Sequence, residues 1–412
     1  MRKLFILSAL CLLCMTPVRA SVVLDATNFP DAAFRTYISV LTGVGINKTI
    51  SDEKIANVKE IIVSDLEITS LQGIEYFTEL QKLDFSHNKL TSVSISANRK
   101  LKELAFYDNQ LSSLDVSKNT MLEKIEFSGN EFTSLDISNL TALKILVCMT
   151  SKLTMLDLSK NISLEYLNCL NNNFATLDIS KNTELSSLNC QKNNLTSLDV
   201  SNNTKLVTLQ CDDNQLTLLD VTNNTKLEYL YCGDNNLTRL DVSKNIALKN
   251  ISCGNNNLSA LSVANNKELI VLNFNFNKVA QINLSNNTKL MYLSCAENCL
   301  TYLNLDNCPQ LSGYELYGQS STRRFQIMSS NSIENNCWAL YVGTSDASRI
   351  EDLKIDGVET EPEMLTKDPG WMVVSNDRKK IPLEVTYKIY TGNETAGWMD
   401  VTVNYDVKKY GV

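Results

Sequence analysis

The chain has 412 residues, 38 Lys and Arg against 46 Asp and Glu, a single histidine and a net charge of −8. That balance repels a phosphate backbone and excludes nucleic acid as a partner class. By length alone the chain would make two or three ordinary domains, an expectation that fails once internal repetition is found.

Residues 1–20 read as a secretory signal peptide: Arg2 and Lys3, an apolar run from Leu4 to Met15, then Val18-Arg19-Ala20. Cleavage is expected after Ala20, giving a secreted, cell-surface or periplasmic chain. The apolar run is too short for a membrane span, and Cys11 and Cys14 each follow Leu rather than the small residue that lipidation needs. Cleavage takes away Arg2, Lys3 and Arg19 and no acid, leaving 35 basic against 46 acidic residues.

Residues 21–57 read as a helical lid. Asn28-Phe29-Pro30 opens a helix through about Leu41, with Phe29, Phe34, Tyr37 and Ile38 for packing, and Ser51 is the N-cap of a short helix through Asn57. The run from Asn28 to Arg35, with Ile50-Ser-Asp-Glu and Ile55 to Ile61, resembles the EF-hand-like cap of internalin-like bacterial proteins. Where such a cap keeps a calcium loop, the resemblance implies acidic ligands; the matching places here are Gly43, Gly45, Asn47 and Lys54, so calcium binding should be lost. Val58 to Ile68, followed by Ile74, supply one irregular joining unit.

From residue 58 to 320 the chain repeats. Leucine recurs every 21 residues from Leu80 through Leu101, Leu122 and onward to Leu290 and Leu311. A typical unit reads Leu185-Ser-Ser-Leu188-Asn-Cys190-Gln-Lys-Asn193-Asn-Leu195-Thr-Ser-Leu198-Asp-Val200. Its first eleven residues resemble the leucine-rich-repeat signature LxxLxCxxNxL. Leu195 to Val200 echoes that spacing, which predicts two extended segments per turn and two parallel sheets on either side of a thin core. The expected fold is an α/β solenoid, predominantly β: a right-handed leucine-rich-repeat superhelix of parallel strands.

The columns have readable jobs. Positions one, four and eleven point inward. Position six is Phe at 85, 106, 127 and 274 and Cys at 148, 169, 190, 211, 232, 253 and 295; position nine is Asn except Ser151 and Gln319. The turn amides satisfy backbone groups of their own and neighbouring turns. Asp115, Asp136, Asp157, Asp178, Asp199, Asp220 and Asp241 form a carboxylate column that reads as a solvated strand face rather than an ion site.

Cysteines stacked on adjacent parallel strands stay about 4.8 Å apart at Cβ, too far for a relaxed disulfide and in the wrong array for tetrahedral metal. They read as buried free thiols acting as small hydrophobes. Cys299 falls at a turn, and Cys308 and Cys337 could staple the end of the solenoid.

Residues 321–412 lose the period and hold all three tryptophans, Trp338, Trp371 and Trp398. Strand-like segments at Trp338–Val342, Trp371–Val374, Pro382–Tyr390 and Met399–Val407 predict a small β-sandwich-like module.

No nucleophile elbow, HExxH motif or phosphate-cradling glycine loop is present, and His87 sits at a turn beside Asn88. No catalytic residue, metal site or cofactor is therefore expected. Binding is the better reading, because outward positions two, three and five vary where everything else repeats. Ile145, Val147, Tyr166, Val207, Tyr229, Tyr231, Ile270, Val271, Met291 and Tyr292 make an apolar, tyrosine-rich strip, bordered by Lys144, Glu165, Glu228 and Lys249.

The 21-residue form followed by LxxLDVSxN is similar to repeats of secreted bacterial proteins of the Bacteroidetes type, over about residues 58–320 and the cap. Asn-x-Ser/Thr sites such as Asn194-Leu-Thr and Asn257-Leu-Ser would place glycans on packed turns in a eukaryotic secretory pathway, which favours a bacterial origin. The resemblance implies a protein ligand, including a host-cell-surface protein. Glycan binding through the tyrosine strip or the tryptophans, and a purely structural spacer, are the alternatives.

Overall fold

The computed structural model describes residues 21–316 without a break, then 319–322, 326–327, 338–341, 347–364, 371–375, 384–391 and 398–404. The expected signal peptide, Cys337 and the ends of some expected C-terminal strands lie outside the described residues.

The lid forms as its capping signals require. Helix α1 spans Ala32–Thr42, and its N-cap is Asp31, whose carboxylate accepts from the Ala33 and Phe34 amides. Gly43, at φ 62°, closes the helix in the left-handed region. Helix α2 spans Asp52–Asn57 with Ser51 as N-cap. Val22–Val23 pairs antiparallel with Thr49–Ile50, tying the loop between the helices to the segment that precedes α1. Phe29, Phe34 and Ile38 are fully buried on the first coil. The Lys54 ammonium donates to the Thr42 carbonyl at 2.7 Å, tying α2 to the last turn of α1.

One three-residue strand per coil, from Glu60–Ile62 through Lys82–Asp84 to Gly313–Glu315, builds a 13-stranded parallel sheet in sequential order. Successive strands pair in register, so Leu188, Leu209, Leu230, Ile251 and Leu272 stack directly. Leucines of positions one, four and eleven are almost entirely buried. Phe85, Phe106 and Phe127 stack with centroids 5.5 Å apart. Position six continues as seven unpaired, fully buried cysteines.

The expected second sheet does not form. In the coil of Leu185, the segment from Leu195 to Val200 belongs to no strand and bends at Thr196. The Asp199 carboxylate accepts from the Ser201 amide at 2.9 Å, and two tight turns follow, Asn203 N to Val200 O and Leu206 N to Asn203 O. Backbone groups used in turns cannot make a ladder. Neighbouring coils are joined on this side by a second amide column, Asn98, Asn119, Asn161, Asn182, Asn203, Asn224, Asn245, Asn266 and Asn287, all fully buried. Asn203 Nδ2, for example, donates to Ile179 O at 3.1 Å and Asn182 O at 2.8 Å of the preceding coil.

Cys308 occupies the next place in that column, its Sγ 4.0 Å from Leu284 O and 3.9 Å from Asn287 O. The thiol thus points at the carbonyls an asparagine would have used.

Beyond the last coil, two sheets form. One runs in the order Gln319–Thr322, Trp398–Asn404, Glu384–Tyr390, Ile350–Ile355 and Val358–Glu359; the other Gln326–Ile327, Trp338–Tyr341, Trp371–Ser375 and Glu363–Met364. Ile350, Leu353, Met372, Val385, Ile389 and Met399 are buried among them. The first sheet locks onto the solenoid: Tyr387 Oη donates to Thr301 O at 2.9 Å and Leu305 N to Thr391 O at 2.7 Å. Gln319 serves both parts, closing the position-nine column through Leu300 N and Cys295 O while its own strand begins the module.

Candidate functional site

Register decides how the outward side chains meet. The position-three row runs Ile145, Tyr166, Ser187, Thr208, Tyr229, Asn250, Val271, Tyr292 and Gly313. Three strand steps separate Tyr166 from Tyr229, about 14 Å at the usual strand spacing. The expected continuous strip is therefore two patches, because Ser187, Asn189, Thr208 and Gln210 fill the interval with polar groups.

The first patch holds Ile145 and Tyr166, both half-buried. Val147 is 7% exposed and offers a partner almost nothing. Tyr107, missed because it stands at position seven, belongs here: its hydroxyl is bonded to the Glu126 carboxylate, and burial together with Glu126 pushes its pKa up. Met149 and Leu170, also at position seven and half-buried, extend the patch.

The second patch holds Val207, Tyr229, Tyr231, Ile270, Val271, Met291 and Tyr292, of which Met291 is 47% exposed and the others half-buried. Gly313 makes room for Tyr292, whose ring would lie 2.7 Å from a Cβ placed there. Phe276, on the coil of Val271, was also missed. It is 46% exposed and holds φ 50° in a turn column that elsewhere carries polar residues or Gly129. A bulky side chain is costly there.

The polar border is largely paired internally. Lys144 Nζ meets Glu123 at 2.8 Å, Lys249 Nζ meets Glu228 at 2.7 Å, and Glu165 acts on Lys144 through space. The opposite side of the solenoid carries an open groove of about 520 Å³, lined by Leu218, Arg239, Leu240, Asp241 and Leu261.

The seven aspartates of the second segment each accept from the amide two residues on, as Asp115 does from Ser117. Hydrogen bonds from the hydroxyl and the amide of that Ser or Thr together hold the carboxyls below the usual range. Burial pushes the column thiols up, Cys148 and Cys253 to about 12, which denies them thiolate chemistry. His87 Nδ1 lies 3.1 Å from Asp108 Oδ2, both exposed, and among the described residues no hydroxyl or thiol is bonded to the ring. Among the described residues, no group of three or more His, Cys, Asp or Glu is arranged to hold a metal ion.

No protein-family profile and no curated protein matches the chain. Solved structures do. The functional domain of InlJ from Listeria monocytogenes, described as including a cysteine ladder, aligns at 24% identity and TM-score 0.62 over 94% of this chain and 99% of that one. An internalin, inlF, from Listeria monocytogenes aligns at 25% identity and TM-score 0.66 over 74% and 93%. A leucine-rich-repeat protein of Leptospira interrogans aligns at 21% identity and TM-score 0.58 over 66% and 81%. The chain is thus a leucine-rich-repeat solenoid of 21-residue coils whose structural neighbours include internalin-type proteins.

Proposed function

We propose that this chain is an exported, adhesin-like module that binds a macromolecular partner, a host-cell-surface protein, through the outward face of its parallel sheet. The carrying observation is the pair of apolar and tyrosine patches on a sheet whose remaining outward positions are mostly polar. A face of this kind, held by a rigid stack of coils, presents large anchors at little entropic cost. The internalin-like fold supports a protein-interaction role, and the signal-like N-terminus supports export. No helix among the described residues is long and apolar enough to cross a membrane.

The test is binding of purified residues 21–412 to host epithelial cells, beside a variant with Tyr166, Tyr229, Tyr231 and Tyr292 changed to Ser. Saturable binding that the folded variant loses, and that excess soluble saccharide leaves intact, is the expected result. Equal binding by both proteins, or none by either, overturns it; competition by saccharide moves the reading to a glycan ligand.

A further inference from the structure

We propose that the solenoid has one weak joint, between the coils of Leu122 and Leu143, where the edge of turns that follows the strands opens while the sheet itself stays paired.

At a regular joint three kinds of bond close that edge. The position-ten amide donates to the position-eleven carbonyl of the preceding coil, as Asn173 N does to Leu153 O at 2.8 Å and Asn194 N to Phe174 O at 2.9 Å. The position-eleven amide donates to the asparagine of the next coil, as Leu153 N does to Asn172 Oδ1 at 3.0 Å and Phe174 N to Asn193 Oδ1 at 3.1 Å. The position-eight amide donates to the next position-seven carbonyl, as Asp108 N does to Ser128 O at 2.9 Å and Thr150 N to Leu170 O at 3.0 Å.

Between the coils of Leu122 and Leu143 all three are missing among the described residues. Lys152 N does not bond Phe132 O, Gly129 N does not bond Met149 O, and the amide of the fully buried Phe132 meets no acceptor. The cause is Ser151 at position nine, where one hydroxyl hydrogen replaces the two of an amide. Its Oγ lies 3.0 Å from Met149 O and only 3.4 Å from Phe127 O, and the substitute bond from Thr154 N to Thr133 O is also 3.4 Å. Bonds of that length are weak, and a buried amide without a partner is costly. The turn is rebuilt as well: Thr150 and Lys152 both stand in the left-handed region, at φ 51° and 57°, a pair that no other coil from Leu80 to Leu290 holds.

The rest of the joint is intact, which gives the opening an axis. Lys144 N and Ile145 N reach Glu123 O at 2.9 and 3.0 Å, and Phe127 N reaches Val147 O at 2.9 Å. On the far side Asn161 Nδ2 still donates to Ile137 O at 3.1 Å and Leu140 O at 2.9 Å. The first patch lies astride the loosened edge, with Tyr107 before it and Met149 and Leu170 after it. A partner that covers both sides favours the closed joint; that consequence rests on the sheet-face reading, whereas the opening does not.

The test is amide hydrogen exchange of residues 21–412 alone, read residue by residue by mass spectrometry with electron-transfer fragmentation and corrected for intrinsic rates. Two amides make the same bond across different joints: Met149 N donates to Ser128 Oγ at 3.0 Å across the weak one, and Tyr107 N to Ser86 Oγ at 3.1 Å across one that Asn109 closes through Leu90 N. Met149 is expected to exchange at least roughly tenfold faster than Tyr107, with Phe127 and Ile145 staying slow. Ser151→Asn should bring Met149 down to the Tyr107 rate, and Asn109→Ser should raise Tyr107 to that of Met149. Equal rates in the native chain, a Met149 rate unchanged in folded Ser151→Asn, or a Tyr107 rate unchanged in Asn109→Ser overturns the weak joint. Because no partner is present, none of these outcomes bears on the binding reading.

Discussion

Asn193 and Asn203 belong to one coil and are both almost fully buried, yet they are bonded differently. Asn193 Oδ1 accepts from Phe174 N at 3.1 Å and its Nδ2 donates to Cys169 O and Cys190 O. Asn203 donates twice, but its Oδ1 is bonded to nothing. The chain itself shows the consequence: position nine is replaced only by polar Ser151 and Gln319, whereas the second column tolerates a buried Leu140. Asn193→Leu is therefore expected to cost about 2–4 kcal/mol and Asn203→Leu less than half of that, read by urea denaturation. The aspartate column adds a pH dependence. A carboxyl whose folded pKa is depressed stabilises above its unfolded value, and the benefit is lost as pH falls through the folded one. The melting temperature should hold near neutrality and drop below about pH 4; Asp199→Asn should keep its turn, since Asn283 already accepts from Ser285 N in the same way. At neutral pH the seven column thiols should resist a thiol reagent until the chain is unfolded. Rapid labelling of the native protein would refute their burial.

At the scale of one coil, the first half was legible and the second was misread. Positions one to eleven repeat a strand followed by a turn, and neighbouring coils repeat the same environment, so burial of Leu188, Cys190 and Asn193 follows from the pattern alone. Leu195 to Val200 carries the same alternation, but Asp199 and Asn203 divert its backbone into turns, which hydrophobic spacing does not reveal. The asparagine at position nineteen was as regular as the one at nine and was the available signal. In the C-terminal module, Asp356-Gly357, both left-handed, joins Ile350–Ile355 to Val358–Glu359, and that hairpin was readable from the dipeptide. Coils are joined by pairs in which each Lys follows its Glu by 21 residues, including Glu123 with Lys144, Glu184 with Lys205, Glu228 with Lys249 and Glu268 with Lys289. Exposed to solvent and screened by salt, each pair contributes little by itself. Because every column advances together, deleting residues 185–205 should leave a cooperatively folding chain with an unchanged circular-dichroism shape, whereas deleting 185–194 should unfold it.

For the whole molecule, the tyrosines were legible as departures from an otherwise repeating pattern, and the register then divided them into two patches. Tyr107 and Phe276 were not found because positions seven and eight look like turn in every coil; only the stacking shows that they border the sheet face. The central claim is that one face of this solenoid binds and the other does not. The most direct measurement compares saturable cell binding by the Tyr166, Tyr229, Tyr231 and Tyr292 serine variant with that of Met155→Ser/Leu218→Ser/Arg239→Ser on the opposite side. The account predicts at least a roughly tenfold loss of affinity, about 1.4 kcal/mol, for the first and none for the second. Equal losses, or a loss confined to the opposite side, would contradict it.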